Sequence, residues 1–225
     1  MSNFQYPTLF SLLTAIADAV RDSEGTANLI NAQNLPDRIA ALSGGAYEFL
    51  LDGSQGAVKN SNVTTLRNYA LCGQQLTEVD LPSVFALGHM AFADTGFTES
   101  YDLVLPSVSQ TGSCPFQRCG ARSITLPAIV AFDERAFEDS TSLELIHIGP
   151  TCTNLNWGCF KGCSNSNLKI VIEASYPPQA QSDTFQGIAS TARIYAPDDA
   201  VEVYKTCTNW TVVADKILPM SDLPT

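Results

Sequence analysis

Five phenylalanines, Phe92, Phe116, Phe137, Phe160 and Phe185, recur at nearly even intervals, their numbers rising by 24, 21, 23 and then 25. A period in this range constrains the fold more than any composition does, because each copy is too short to bury its own apolar row and must stack on its neighbours. A second landmark, an apolar residue closed off by proline, precedes each ring. Leu81-Pro82 leads to Ala91-Phe92, Leu105-Pro106 to Pro115-Phe116, Leu126-Pro127 to Ala136-Phe137, Ile148-Gly149-Pro150 to Cys159-Phe160, and Ile172 with Pro177 to Thr184-Phe185. A degenerate earlier copy, Val63 to Leu66 and then Ala70-Leu71, puts Leu71 in register one repeat before Phe92.

Within a unit, Leu143, Ile146 and Ile148 follow a Leu-x-x-Leu-x-Leu layout that reads as a short strand. Proline then ends it, since it cannot donate to the next ladder position. The small residue before each phenylalanine lets a return leg approach closely, and the ring fills the space between coils. Stacked units give a parallel ladder on one face, stabilised by contacts between neighbouring coils.

The paired landmarks resemble the BspA-type leucine-rich repeat common in bacterial surface proteins and their phages, over roughly residues 47 to 197. The unit around Leu105 departs from it, with Cys114-Pro115 where other copies have a helical-looking pair. The resemblance implies a leucine-rich-repeat solenoid of about five to six repeats, each roughly 21–25 residues long. The end of the chain resembles the terminal unit of such arrays, with Val201, Tyr204 and Trp210 available to cover the last apolar face. The expected division is a helical segment at 1–45, the solenoid at 46–197 and a cap at 198–225.

Two short helices are expected before the repeats. Leu9, Leu12, Leu13, Ile16, Ala17 and Val20 recur at helical spacing between a Thr8 cap and the Gly25 stop; a second helix runs from about Leu35 to Leu42, with Ile39 inside it, up to Gly44-Gly45. The run from Leu12 to Arg21 and the later Ile30 to Ile39 resemble the N-terminal segment of tail-associated proteins of phages and prophages of gut Firmicutes. That resemblance implies attachment to a particle through Leu9, Leu12, Leu13, Ile16, Val20, Leu35 and Ile39. The same helices also suit a cap on the first open coil, and the two roles are compatible.

The formal charge of −11, from 23 acidic and 12 basic side chains with no basic cluster in sequence, argues against a nucleic-acid partner. No stretch reads as a membrane span, and the first residues lack the pattern of a secretory signal. Seven cysteines without an export signal suggest reduced thiols rather than a disulfide framework. The phosphate-loop, nucleophile-elbow, zinc-protease and calcium-loop motifs are missing, and neither His89 nor His147 has an evident catalytic partner, although Glu144 is near His147 in sequence. Cys152, Cys159 and Cys163 raise the question of zinc. However, Cys119 and Cys163 take the repeat positions of Thr95 and Ser140, and Cys159 that of Ala91 and Ala136, so packing is expected instead. No enzyme activity, cofactor or metal is expected.

The candidate binding surface is the outward face of the ladder, with Thr77, Glu78, Asp80, Thr125, Glu144, His147 and Lys169, and Val171 beside them. Phe97 and Tyr101 either add aromatic contact area or pack between coils. The function expected from the resemblances is a non-enzymatic virion protein of a phage or prophage tail tip, fibre or baseplate. It would be made in the bacterial cytoplasm, be joined to other tail proteins by residues 1–45, and bind host protein or glycan through the solenoid. A homo-oligomer, trimeric by analogy with tail fibres, goes with that expectation. The alternatives are a bacterial BspA-like adhesin, a structural decoration subunit of the virion and, in another class, a glycan depolymerase.

Overall fold

A computed structural model of the protein describes residues 56–97 and 100–224. The expected attachment residues, from Leu9 to Ile39, and the two expected helices lie outside the described residues. The chain coils as a parallel solenoid whose strands are numbered β1–β15 in chain order. On one side stand β1 (Ala57–Lys59), β4 (Glu78–Asp80), β7 (Asp102–Val104), β9 (Ser123–Leu126), β10 (Leu145–Ile148), β12 (Lys169–Ile172), β14 (Arg193–Ala196) and β15 (Ile217–Pro219). From β7 onward they form one six-stranded ladder, while β1 pairs with β4 alone. These strands bound seven turns, slightly more than the repeat count expected from the sequence, because β15 from the C-terminal segment continues the ladder. A second short ladder runs through β2 (Thr65–Leu66), β5 (Ala86–Leu87), β8 (Gln110–Thr111), a bridge at Ala131, β11 (Asn154–Leu155) and β13 (Gln179–Ala180). A third pairs β3 (Gln75–Leu76) with β6 (Gly96–Phe97).

Alternation places the apolar residues inside. Ile124, Ile146, Ile170 and Ile194 stand in register on β9, β10, β12 and β14, and all are fully buried, as are Leu126, Ile148 and Ile172 two positions on. The strands stay short because Pro127 and Gly149-Pro150 follow them. Between β4 and β7 the ladder is interrupted, and a side chain fills the gap. The Tyr101 hydroxyl accepts from Val79 N at 2.8 Å and donates to Val79 O at 3.2 Å, satisfying both backbone groups. Its ring stacks on Phe97 with centroids 4.7 Å apart, so both aromatics pack between coils.

The return legs are turns rather than helices. Left-handed residues flank four of the five rings two positions away on either side: Met90 and Asp94 around Phe92, Cys114 and Arg118 around Phe116, Arg135 and Asp139 around Phe137, Gly158 and Gly162 around Phe160, while Phe185 has Gly187 on one side alone. This alternation aims backbone N–H groups along the solenoid axis. Arg135, Phe137 and Asp139 donate to Trp157, Cys159 and Lys161 carbonyls of the next coil at 2.7, 2.8 and 2.8 Å. Cys114-Pro115 therefore obeys the same rule as its neighbours, despite looking anomalous in sequence. A non-glycine residue in this conformation costs ~1–2 kcal/mol, whereas glycine adds roughly 0.4–1 kcal/mol of unfolded-state entropy, so relief wins narrowly. Arg135→Gly, at an exposed site, should raise stability by about 0.5–1 kcal/mol in urea unfolding, and a loss of stability would contradict the geometry.

The rings form a continuous internal column. Successive centroids from Phe92 through Phe116, Phe137 and Phe160 to Phe185 lie 5.6, 5.4, 5.6 and 5.7 Å apart, all stacked. The column ends on Trp210, which is 4.9 Å from both Phe185 and Tyr204. Helix α1 (Val201–Thr206) supplies Tyr204, whose hydroxyl donates to Ala174 O at 2.7 Å, and Trp210 Nε1 donates to Pro178 O at 2.9 Å. Val201, Tyr204 and Trp210 are all buried. They cover the apolar end that a solenoid must close.

Candidate functional site

The outward side of the long ladder carries two columns of side chains. One runs through Asp102, Ser123, Leu145, Lys169 and Arg193, and the other through Val104, Thr125, His147, Val171 and Tyr195. Thr77, Glu78 and Asp80 are exposed but stand at the other end of the solenoid, beyond the break at Tyr101, where Glu78 pairs with Lys59 at 2.7 Å. Thr125 and His147 are half-buried neighbours. His147 Nε2 lies 2.8 Å from Glu173 Oε1 of the following coil, so its carboxylate partner is Glu173 and not Glu144. Val171 is not displayed: it is 4% exposed, as is Tyr195 beside it. Outward register along a ladder is thus insufficient for display near the C-terminal coils.

Two of the expected residues, Glu144 and Lys169, meet in a groove of about 510 Å³ at the edge of this ladder. Arg122 and Arg193 line it with them, and Ser166, Asn167 and Thr191 form its polar wall. Leu145 and Leu168 supply apolar surface, and Leu223 and Pro224 of the C-terminal segment complete the lining. Arg122 is held by an ion pair with Asp102. Arg193 donates from Nη1 to the Thr191 and Ala192 carbonyls, both at 3.0 Å, which fixes the guanidinium without neutralising it. Thr191 Oγ1 donates to Ser166 O at 2.6 Å, tying the two turns of the wall together. The Lys169 ammonium has no ion-pair or hydrogen-bond partner among the described residues. Sequence reading missed Arg122 and Arg193. Arg193 was findable, since it takes the strand position of Lys169 one repeat further on, but Arg122 precedes its strand and reaches the groove only in three dimensions.

The cysteines occupy structural positions. Thr95, Cys119, Ser140 and Cys163 are buried three positions after successive rings; Ser140 Oγ donates to Phe116 O at 2.6 Å, and Cys163 Sγ to Phe137 O at 3.0 Å. Burial pushes Cys119 and Cys163 up to about 12 and Cys152 to about 11, and raises Cys159 well above the ordinary value. Cys119 and Cys163 stay protonated in the fold while the unfolded chain ionises near pH 9, so their stabilising effect is complete below pH 9 and falls as pH rises toward 12. Each contributes a slope of about 1.4 kcal/mol per pH unit in that window. Cys163→Ser keeps a donor to Phe137 O and should flatten the loss by roughly that amount, as read from urea midpoints at alkaline pH. An unchanged slope would mean that Cys163 is not buried as a thiol. Among the described residues, no group of three or more His, Cys, Asp or Glu side chains is placed to hold a metal ion.

No curated protein matches the chain. A family model, the BspA type leucine rich repeat region, matches in six copies over residues 64–192. Those copies span the coils that build the ring column and most of the ladder, and they cover more than half of the sequence. The chain therefore belongs to the BspA-type leucine-rich-repeat family.

Proposed function

We propose that this protein is a non-enzymatic binding protein, a tail-tip, fibre or baseplate component of a phage or prophage whose solenoid contacts the host surface. The observation that carries the binding role is the architecture: a filled, ring-stacked interior that leaves recognition to the outer surfaces, the ladder face and the groove at its edge among them. Repeat solenoids use extended surfaces in this way, and weak contacts multiply when copies are presented together. The virion assignment is supported by the resemblance of the segment between Leu12 and Ile39 to tail-associated proteins. In it residues 1–45 join other tail proteins, the chain reaches the particle from the bacterial cytoplasm, and copies associate, as a trimer by analogy with tail fibres. The partners are host protein or glycan, without nucleic acid, membrane insertion, metal or cofactor.

Family membership favours one second reading, a bacterial surface adhesin. Immunogold electron microscopy with an antibody against residues 46–225, on particles released from the producing culture, separates the two. Gold confined to the distal tail is the expected result. Gold on the capsid or neck would replace receptor binding with a structural decoration role, and labelled cells beside unlabelled particles would favour the adhesin.

A further inference from the structure

We infer that the groove at the edge of the long ladder binds an anionic saccharide unit, one carrying a carboxylate or a phosphate. This inference rests on the surface-binding reading above and specifies its ligand. Three of the chain's 12 basic side chains, Arg122, Lys169 and Arg193, line this one groove, where Glu144 is the one acidic residue among the described lining and Asp102 pairs with Arg122 beside it. In a chain of net charge −11 such a reversal of sign creates a local field that selects an anion against the background. Arg122 is already matched by Asp102, so the unmatched pair is Lys169 and Arg193.

These two residues are direct register partners on β12 and β14. Adjacent strands place their side chains about 4.8 Å apart, close enough for two cationic heads to share the oxygens of one carboxylate or phosphate. Arg193 Nη2 has no acceptor among the described residues, and the Nη1 bonds orient it in advance. The rest of the lining suits a sugar ring rather than a bare ion. Asn167, Thr191 and the Glu144 carboxylate offer donors and acceptors for hydroxyls, while Leu145, Leu223 and Pro224 offer an apolar surface for a ring face. A volume of about 510 Å³ lies in the range of small-ligand sites and takes a mono- or disaccharide, as the end or side group of a longer glycan.

The test uses the full chain with three probes: digalacturonic acid for a carboxylate source, glucose 6-phosphate for a phosphate source, and cellobiose as the neutral control. Calorimetric titration should show one of the anionic probes binding and cellobiose not, and the anion that answers identifies the source. Lys169→Gln and Arg193→Gln should each weaken binding roughly tenfold, the effect of losing one charge-assisted contact. Both side chains are at the surface, and thermal melting of the variants confirms that they remain folded. Cellobiose binding as tightly as the acids, variants that retain full affinity, or neither anion binding would each overturn the inference. A cell-adhesion assay separates it from the broader reading. Wild-type and double-variant proteins that adhere equally to host cells would sink the groove and leave adhesion standing. Digalacturonic acid binding without any cell adhesion would keep the groove and remove host attachment.

Discussion

Replacing Gly149 by alanine is expected to destabilise the protein by about 3–5 kcal/mol, beyond the ~1–3 kcal/mol usual for one added methyl in a packed interior. Gly149 follows β10 directly, and its N–H donates to Leu126 O of the preceding coil at 3.1 Å. A Cβ built there would lie 1.9 Å from Pro127 O and 2.5 Å from Pro127 C. The obstacle is backbone, so no rotamer change removes the clash; the two coils must separate, stretching the ladder that holds Ile148 beside Leu126. Stability in a repeat array is nearly a sum of nearest-neighbour terms, so weakening one interface also lowers cooperativity. Urea unfolding of Gly149→Ala should show a lower midpoint and a broadened or split transition. A variant within about 0.5 kcal/mol of the wild type, the usual range of a surface substitution, would show that the coils do not approach this closely.

The solenoid was legible from sequence because its two landmarks correspond to different physical layers. The recurring phenylalanines became the ring column, and the apolar-proline steps became the ends of strands. Thr95 and Ser140 identified what Cys119 and Cys163 do, because a shared repeat position implies a shared environment, and all four are buried. The left-handed pairs around Phe92, Phe116, Phe137 and Phe160 were not legible. Met90, Cys114 and Arg135 share no side-chain chemistry, and what they share is a backbone conformation imposed by hydrogen bonding between coils. The groove was half legible, through Glu144 and Lys169. Its remaining parts come from turns at Asn167 and Thr191 and from the C-terminal segment, which period counting along the strands does not sample. Alternation also overstated exposure at Val171, since outward register does not establish solvent access.

Phe137→Ala and Trp210→Ala should cost comparable free energy, about 3–5 kcal/mol each for deleting a fully buried aromatic, yet unfold the molecule differently. Phe137 is stacked on both sides, 5.4 Å from Phe116 and 5.6 Å from Phe160, with Phe132 against its edge at 5.2 Å. Its loss weakens two interfaces in the middle of the array, so the coils on either side should unfold in separable steps. Trp210 instead ends the column: its removal uncovers Phe185 on one side only and leaves Pro178 O without its donor. The consequence should be fraying from the C-terminus. Hydrogen exchange should accelerate in β14 and β15 while β7 and β9 keep their protection, because only the last coils border the opened end. That pattern also bears on binding, since Arg193 lies on β14 and Leu223 and Pro224 lie beyond β15. Trp210→Ala should therefore weaken retention of an anionic saccharide at temperatures where the rest of the solenoid is intact. Uniform acceleration of exchange along every strand would instead make the array a single cooperative unit and would remove the distinction between cap and interior.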